Sequence, residues 1–137
     1  MTTMMPVARE TLVGNALALK ANYTRMHNDI LRVVRAIPAG RVTTVDAISQ
    51  YLGVPAHHVS FLLARRFACG DGPAPWYRVL AHRGALGRPL FDADGRSQAE
   101  CLAAEGVVVG FRGRIVDYAA HYVAPGALGM GFPSVVR

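Results

Sequence analysis

Apolar and polar positions alternate with helical spacing through the first half of this chain. Between Arg25 and Ala36, Met26, Ile30, Val33 and Val34, with Ile37 just beyond, fall on one face of a helix. Pro38-Ala39-Gly40 stops it. Arg41-Val42-Thr43 reads as a short strand. Thr44 then offers an N-cap to a helix through Leu52, with Val45, Ile48 and Leu52 on one face and Gly53 at the end. Pro55 restarts a helix through about Phe67. Two short helices joined by Gly53-Val54-Pro55 form a helix-turn-helix pattern, the second being the recognition helix.

The second half has weaker periodicity and more turns. Cys69–Ala74 is a loop, Tyr77–Ala81 a strand, and His82-Arg83-Gly84 the turn of a basic wing. Ser97 and Glu100 make a capping box for a helix through Glu105, closed by Gly106. Val107–Phe111 and Arg114–Tyr118 flank Arg112-Gly113 as a terminal hairpin. A helical tendency over Glu10–Lys20 makes an added helix or ordered arm of residues 1–24. The pattern predicts a mainly α fold with small β elements, a winged helix-turn-helix over residues 25–124, an N-terminal extension over 1–24 and an irregular tail over 125–137.

Composition narrows the class. The 137 residues suit one domain, and an apolar share of 52% argues against a mostly disordered chain. No apolar run approaches the ~18 residues that span a bilayer, and the N-terminal residues lack a secretory h-region. A cytoplasmic monomer is expected, nucleoid-associated if bacterial, with no membrane partner. Cys69 and Cys101 make neither a disulfide framework nor a metal cluster. His57 and His58 are adjacent and point apart on a helix, so no metal site is expected from them, and no cofactor.

Charge changes the picture more. Net charge is +6, and the basic side chains are 14 Arg and a single Lys, Lys20. The guanidinium fork binds oxyanions bidentately, so this balance favours a polyanion. Arg65 and Arg66 near the end of the recognition helix, with Arg83 and Arg88 on the wing, are the candidate phosphate contacts. The plainer reading of these four is a scattered, solvated set.

Pro75-Trp76-Tyr77-Arg78-Val79 carries the candidate chemistry. It resembles the Pro-Cys-His-Arg-Val segment of the O6-alkylguanine-DNA alkyltransferases. Ile37-Pro38-Ala39-Gly40-Arg41-Val42-Thr43-Thr44, Leu52-Gly53-Val54-Pro55 and Leu102-Ala103-Ala104-Glu105-Gly106-Val107 match that family's DNA-binding domain in order and spacing. Alkyltransferase-like proteins, the non-catalytic branch, carry Trp where the nucleophilic Cys stands. A thiolate performs alkyl transfer and an indole cannot. The family's N-terminal ribonuclease-H-like domain has no counterpart in these residues, as in that branch.

The resemblance implies minor-groove binding by the helix-turn-helix, with a damaged guanosine flipped into a pocket and an Arg finger filling the gap. By position, the base pocket comprises Trp76, Tyr77, Arg78 and Glu105. Trp76 stands for the nucleophile, Tyr77 for the His that deprotonates it, and Glu105 for the Glu that orients that His. Taken alone, Trp76 is also readable as core filling, Tyr77 as a buried phenol with any acceptor, and Arg78 as a structural residue bonding backbone carbonyls. The family's Tyr that assists rotation falls at Val45, its finger at Val59 and its Asn at Ala68. Residues expected at the DNA face are Thr44, Val45, His58, Val59, Ser60, Arg65, Arg66, Arg83 and Arg88. With Val59 at the finger position, base flipping should be weaker than in relatives.

The function expected is non-enzymatic: binding double-stranded DNA, sensing O6-alkylguanine or related damage, and passing it to excision-repair proteins. Three alternatives stay open. One is a winged-helix module that has lost lesion recognition. Another is a methyltransferase using Cys69 or Cys101. The third is an interaction remnant that binds no DNA.

Overall fold

The computed structural model describes residues 4–67 and 74–129, with side chains from residue 19 onward. Helix α1 runs over Met4–Ala36, 33 residues, or about 50 Å of rise. The helical tendency of 10–20 and the amphipathic run from Arg25 thus belong to one element, which passes through residue 24 without a break. Its inward face carries Ile30, Val33 and Val34, all fully buried, and Ile37 closes the same face.

Strand β1 is Thr43–Thr44, helix α2 is Val45–Leu52 and helix α3 is Ala56–Ala64. Thr44 caps α2 by accepting the Ala47 N–H at 3.1 Å. Gly53 ends it in the left-handed region, φ +68°, where its N–H reaches the Ser49 carbonyl. Both termini follow the sequence expectation. Helix α3 is shorter than expected. Arg66 and Phe67 both take positive φ, +53° and +50°, so the chain turns sharply after Ala64 and sends the Phe67 ring into the core. The expected loop Cys69–Ala74 and the position of Ala68 lie outside the described residues, apart from Ala74.

Trp76–Arg78 forms a 3-10 turn rather than the start of a strand, and β2 is Val79–Leu80 alone. It pairs parallel with β1, Thr43 opposite Val79 and Thr44 opposite Leu80. This short ladder fixes the Trp76 turn against the entry to α2. The wing follows. His82 and Ala85 exchange backbone bonds around a tight turn, and the Leu86 N–H bonds the Gly113 carbonyl. Helix α4, Gln98–Ala103, begins with the expected capping box of Ser97 and Glu100 but ends before Glu105, which lies in the following turn.

The hairpin expectation holds in outline. Val109 bridges Ile115 antiparallel, and the Val116 N–H bonds the Val108 carbonyl. A 3-10 turn, Phe111–Gly113, joins the arms. Tyr118, expected in a strand, instead opens helix α5, Tyr118–His121. The start of the tail is ordered and packed on the domain. Pro125–Leu128 forms a 3-10 turn with Pro125 buried and Leu128 packed on the core.

Two apolar clusters result. The larger joins α1, α2 and α3 through Ile30, Val34, Val45, Ile48, Val59, Leu62 and Phe67, and reaches Trp76 and Val79. The smaller gathers Val42, Leu80, Leu102, Val107 and Ile115 beneath the hairpin. Among the described residues no helix is long and apolar enough to cross a membrane.

Candidate nucleic-acid interface and base pocket

The segment Pro75–Val79 is held from three sides. Trp76 is 6% exposed and packs in the main core, its ring edge-on to Tyr77 at 5.8 Å between centroids. The Tyr77 hydroxyl donates to Glu105 Oε2 at 3.0 Å. Arg78 donates through Nε to Glu105 Oε1 at 3.0 Å, forms an ion pair through Nη2 with Glu105 Oε2, and donates through Nη1 to the Ile37 carbonyl at 2.6 Å. The Gly40 N–H completes the set, donating to Glu105 Oε1 at 3.2 Å. Gly40 sits at φ +81°, with the Glu105 carbonyl 3.4 Å from where a Cβ would stand. Glycine suits both the conformation and the approach.

These contacts set the protonation states. Burial pushes the Glu105 carboxyl up, but the bonds from Arg78, Gly40 and Tyr77 outweigh it and hold the group below its ordinary value. The bond to Glu105 raises Arg78 further. Burial, then the neighbouring Glu105 carboxylate, raise Tyr77. The phenol is therefore a hydrogen-bond donor at neutral pH and cannot act as a base. Gln98, 3% exposed, adds support by donating to the Tyr77 carbonyl at 3.1 Å and the Val79 carbonyl at 2.9 Å. Its role was not visible in the sequence. Neither was that of Ile37 and Gly40, although the Pro-Ala-Gly turn marks where the backbone could approach.

Beside Trp76 opens a cleft of about 840 Å³. Its walls are Phe67 and Arg66 after α3, then Pro75, Trp76, Tyr77 and Arg78, with Phe91, Asp92 and Asp94 opposite. Aromatic and apolar faces with a mixed charged rim fit a planar, polar-edged ligand. Asp92 is itself engaged. Its carboxylate accepts the N–H groups of Asp94 and Arg96 and pairs with the Arg96 side chain. Of the four residues expected in the base pocket, Trp76, Tyr77 and Arg78 line this cleft, while Glu105 works with Tyr77 and Arg78 in the network.

Four of the residues expected at the DNA face are buried in the structure. Thr44 is 6% exposed and spends its hydroxyl on the α2 cap. Val45 is 3% and Val59 fully buried, both in the main core. His58 is 7% exposed, with its ring edge-on to Tyr23 at 4.6 Å. The reason is the phase of α3. His58, Val59, Leu62 and Leu63 share its inward side, so the finger position points into the protein. Ser60 and Arg65 are exposed on the outer side. Arg66 is half-buried and donates to the Ala64 carbonyl at 2.8 Å. Arg83 and Arg88 are exposed on the wing. Phe61 was not among the expected residues, yet it is 49% exposed on the outer side of α3.

Cys101 is 7% exposed, and burial and then Asp92 raise its thiol above the ordinary value, which disfavours the thiolate. Cys69 lies outside the described residues. Among the described residues no group of three or more metal-ligating side chains occurs.

The model of the family described as "6-O-methylguanine DNA methyltransferase, DNA binding domain" matches residues 25–107, more than half of the chain. Alkyltransferase-like protein 1 of Schizosaccharomyces pombe is 28% identical over 87 residues, covering 64% of this chain and 77% of that protein. The DNA base-flipping protein of Escherichia coli is 35% identical over 89 residues, covering 63% of this chain and 65% of its own length. The fold is similar to a crystal structure of S. pombe Atl1 in complex with damaged DNA containing O6-carboxymethylguanine. The TM-score is 0.60 at 24% identity, covering 73% of this chain and 95% of that one.

Proposed function

The chain belongs to the family of the 6-O-methylguanine DNA methyltransferase DNA-binding domain, and on that premise we propose that it binds damaged duplex DNA without repairing it. The phosphates meet Arg65 at the C-terminal cap of α3 and Arg83 and Arg88 on the wing. An O6-alkylguanine, or a base with a related bulky adduct, enters the cleft beside Trp76 and is passed to excision-repair proteins. The reading is supported by the indole of Trp76, which lines the cleft within the Pro75–Val79 segment that resembles the family's Pro-Cys-His-Arg-Val. The groups beside it, Tyr77, Arg78 and Glu105, are committed to one another, so none of the three is free to act as a base. An indole offers a stacking face worth about 1–3 kcal/mol per base and no thiolate for alkyl transfer.

The similar S. pombe structure is of Atl1 in complex with damaged DNA containing O6-carboxymethylguanine, which supports the lesion class. The E. coli relative's name supports flipping as the route. A winged-helix module without lesion recognition is the second reading, favoured by the burial of Val45 and Val59. Binding to matched duplexes with and without O6-methylguanine, at two salt concentrations, separates them. The proposal requires salt-sensitive binding with a preference for the lesion. Equal affinity for both duplexes would leave only the second reading.

A further inference from the structure

We infer that Phe61 is the side chain this protein inserts into the base stack of a bound duplex. The inference rests on duplex DNA being the ligand, as proposed above. Helix α3 turns His58, Val59, Leu62 and Leu63 inward, which removes the finger position from the surface. The same phase brings Phe61 outward, 49% exposed. Among the described residues it is the one large exposed apolar side chain on α2 or α3.

A large apolar ring exposed beside His57, Ser60 and Ala64 has a cost in water that insertion between bases removes. Proteins that unstack DNA use this kind of wedge, with Phe among the residues employed. Two features of the site fit the task. The Arg65 guanidinium lies over the Phe61 ring at 5.4 Å from its centroid, one helical turn further on. It steadies the ring and places a positive charge where a phosphate flanks an opened step. A cavity of about 360 Å³ also adjoins the ring, between Ser60 and Ala64 of α3 and Ala81, Arg88 and Leu90 of the wing. It leaves part of the ring without protein contact. Val59 cannot perform this role, and Phe61 performs it by stacking rather than by hydrogen bonding.

The test uses the full chain and a duplex carrying the fluorescent base 2-aminopurine at a central step, with Phe61→Ala, Phe61→Tyr and Arg65→Ala beside the parent. On saturation the parent should raise the emission. Phe61→Ala should bind about tenfold or more weakly and abolish the rise. Its log–log salt slope should stay unchanged, because no charge is lost. Phe61→Tyr should keep the rise, and Arg65→Ala should lower the slope by about one. Matching urea melts for parent and Phe61→Ala would show that folding is not the cause. A full emission rise with Phe61→Ala, or salt-sensitive binding by the parent with no rise at all, overturns the inference and leaves duplex binding standing. A dimer of the parent that Phe61→Ala dissolves, with DNA unaffected, also overturns it. No duplex binding by the parent removes both readings.

Discussion

Arg78 grips Glu105 across 27 residues of sequence with two guanidinium nitrogens on two carboxylate oxygens, and Tyr77 and the Gly40 N–H fill the remaining acceptor sites. This pairing ties the Trp76 turn, the end of α1 and the turn after α4 to one another. Tyr77, Arg78, Gly40 and Glu105 thus form one structural network.

Glu105→Gln should therefore destabilise the protein rather than change any reaction. Both side chains keep about 15% exposure, 15% for Arg78 and 14% for Glu105. The loss should be about 2–3 kcal/mol at neutral pH, below that of a fully buried pair. The folded carboxyl titrates below its ordinary value of 4.5. Its contribution is thus fully present above that pH and is lost as pH falls through the lower folded value. Urea melts from pH 7 to pH 3 should show this acid limb in the parent and a shallower one in Glu105→Gln.

Val59→Arg should fail to restore a finger. The side chain at this position is fully buried among Ile48, Leu62 and their neighbours in the main core. A guanidinium there has no water and no counter-charge, and the variant should lose more than about 3 kcal/mol. Thermal melts decide it. A stable variant with tighter lesion binding would mean that α3 can rotate to expose this face.

Helix α2 was readable to the residue because its signals are local: a Thr with a side-chain acceptor before it and a Gly able to take φ +68° after it. The apolar face of α1 was readable for the same reason. The phase of α3 was not, since its apolar residues surround most of the helix and periodicity could not say which side faces in. Matching by position to the family put Val59 on the DNA face, and the ambiguous phase gave no sign that Val59 and His58 turn inward and Phe61 outward. The end of α3 depended on Arg66 and Phe67 adopting positive φ, which neither residue type advertises. For the pocket, the motif marked Trp76, Tyr77, Arg78 and Glu105. The backbone partners at Ile37 and Gly40, and the support from Gln98, arise only from tertiary approach.

Prolonged incubation with excess O6-methylguanine duplex should leave the intact mass unchanged. Cys101 is 7% exposed with its thiol raised by burial, and the segment that resembles the family's nucleophile motif carries Trp76. Mass spectrometry checks this. A gain of one methyl group per chain, mapped to Cys69 or Cys101, would make the protein an enzyme.

Removing charge at the interface should act on affinity without sequence preference. Arg65, at the C-terminal cap of α3, lies over the Phe61 ring and Arg88, on the wing, borders the cavity beside it; both are exposed. The double variant Arg65→Ala, Arg88→Ala should lower the log–log salt slope by about two. Titrations of several unrelated duplexes should weaken alike. An unchanged slope would move the phosphate contacts elsewhere.

His58 should make the protein less stable in mild acid. Its ring is buried against Tyr23, its Nε2 has no hydrogen-bond partner, and the His27 ring lies 6.5 Å away between centroids. Burial lowers its pKa, and His27 and His57 lower it further, while burial lowers His27 as well. The unfolded chain therefore takes up protons before the folded one does. Stability is full above the ordinary value of 6.5 and declines as pH falls from there through the lower folded values. His58→Phe keeps a ring edge-on to Tyr23 and removes the unpaired nitrogen, a change that should be neutral or stabilising at pH 7.5. Urea melts at pH 7.5, 6.5 and 5.5 should show the parent weakening stepwise and His58→Phe weakening less. Equal slopes in the two proteins would place the acid sensitivity outside this cluster.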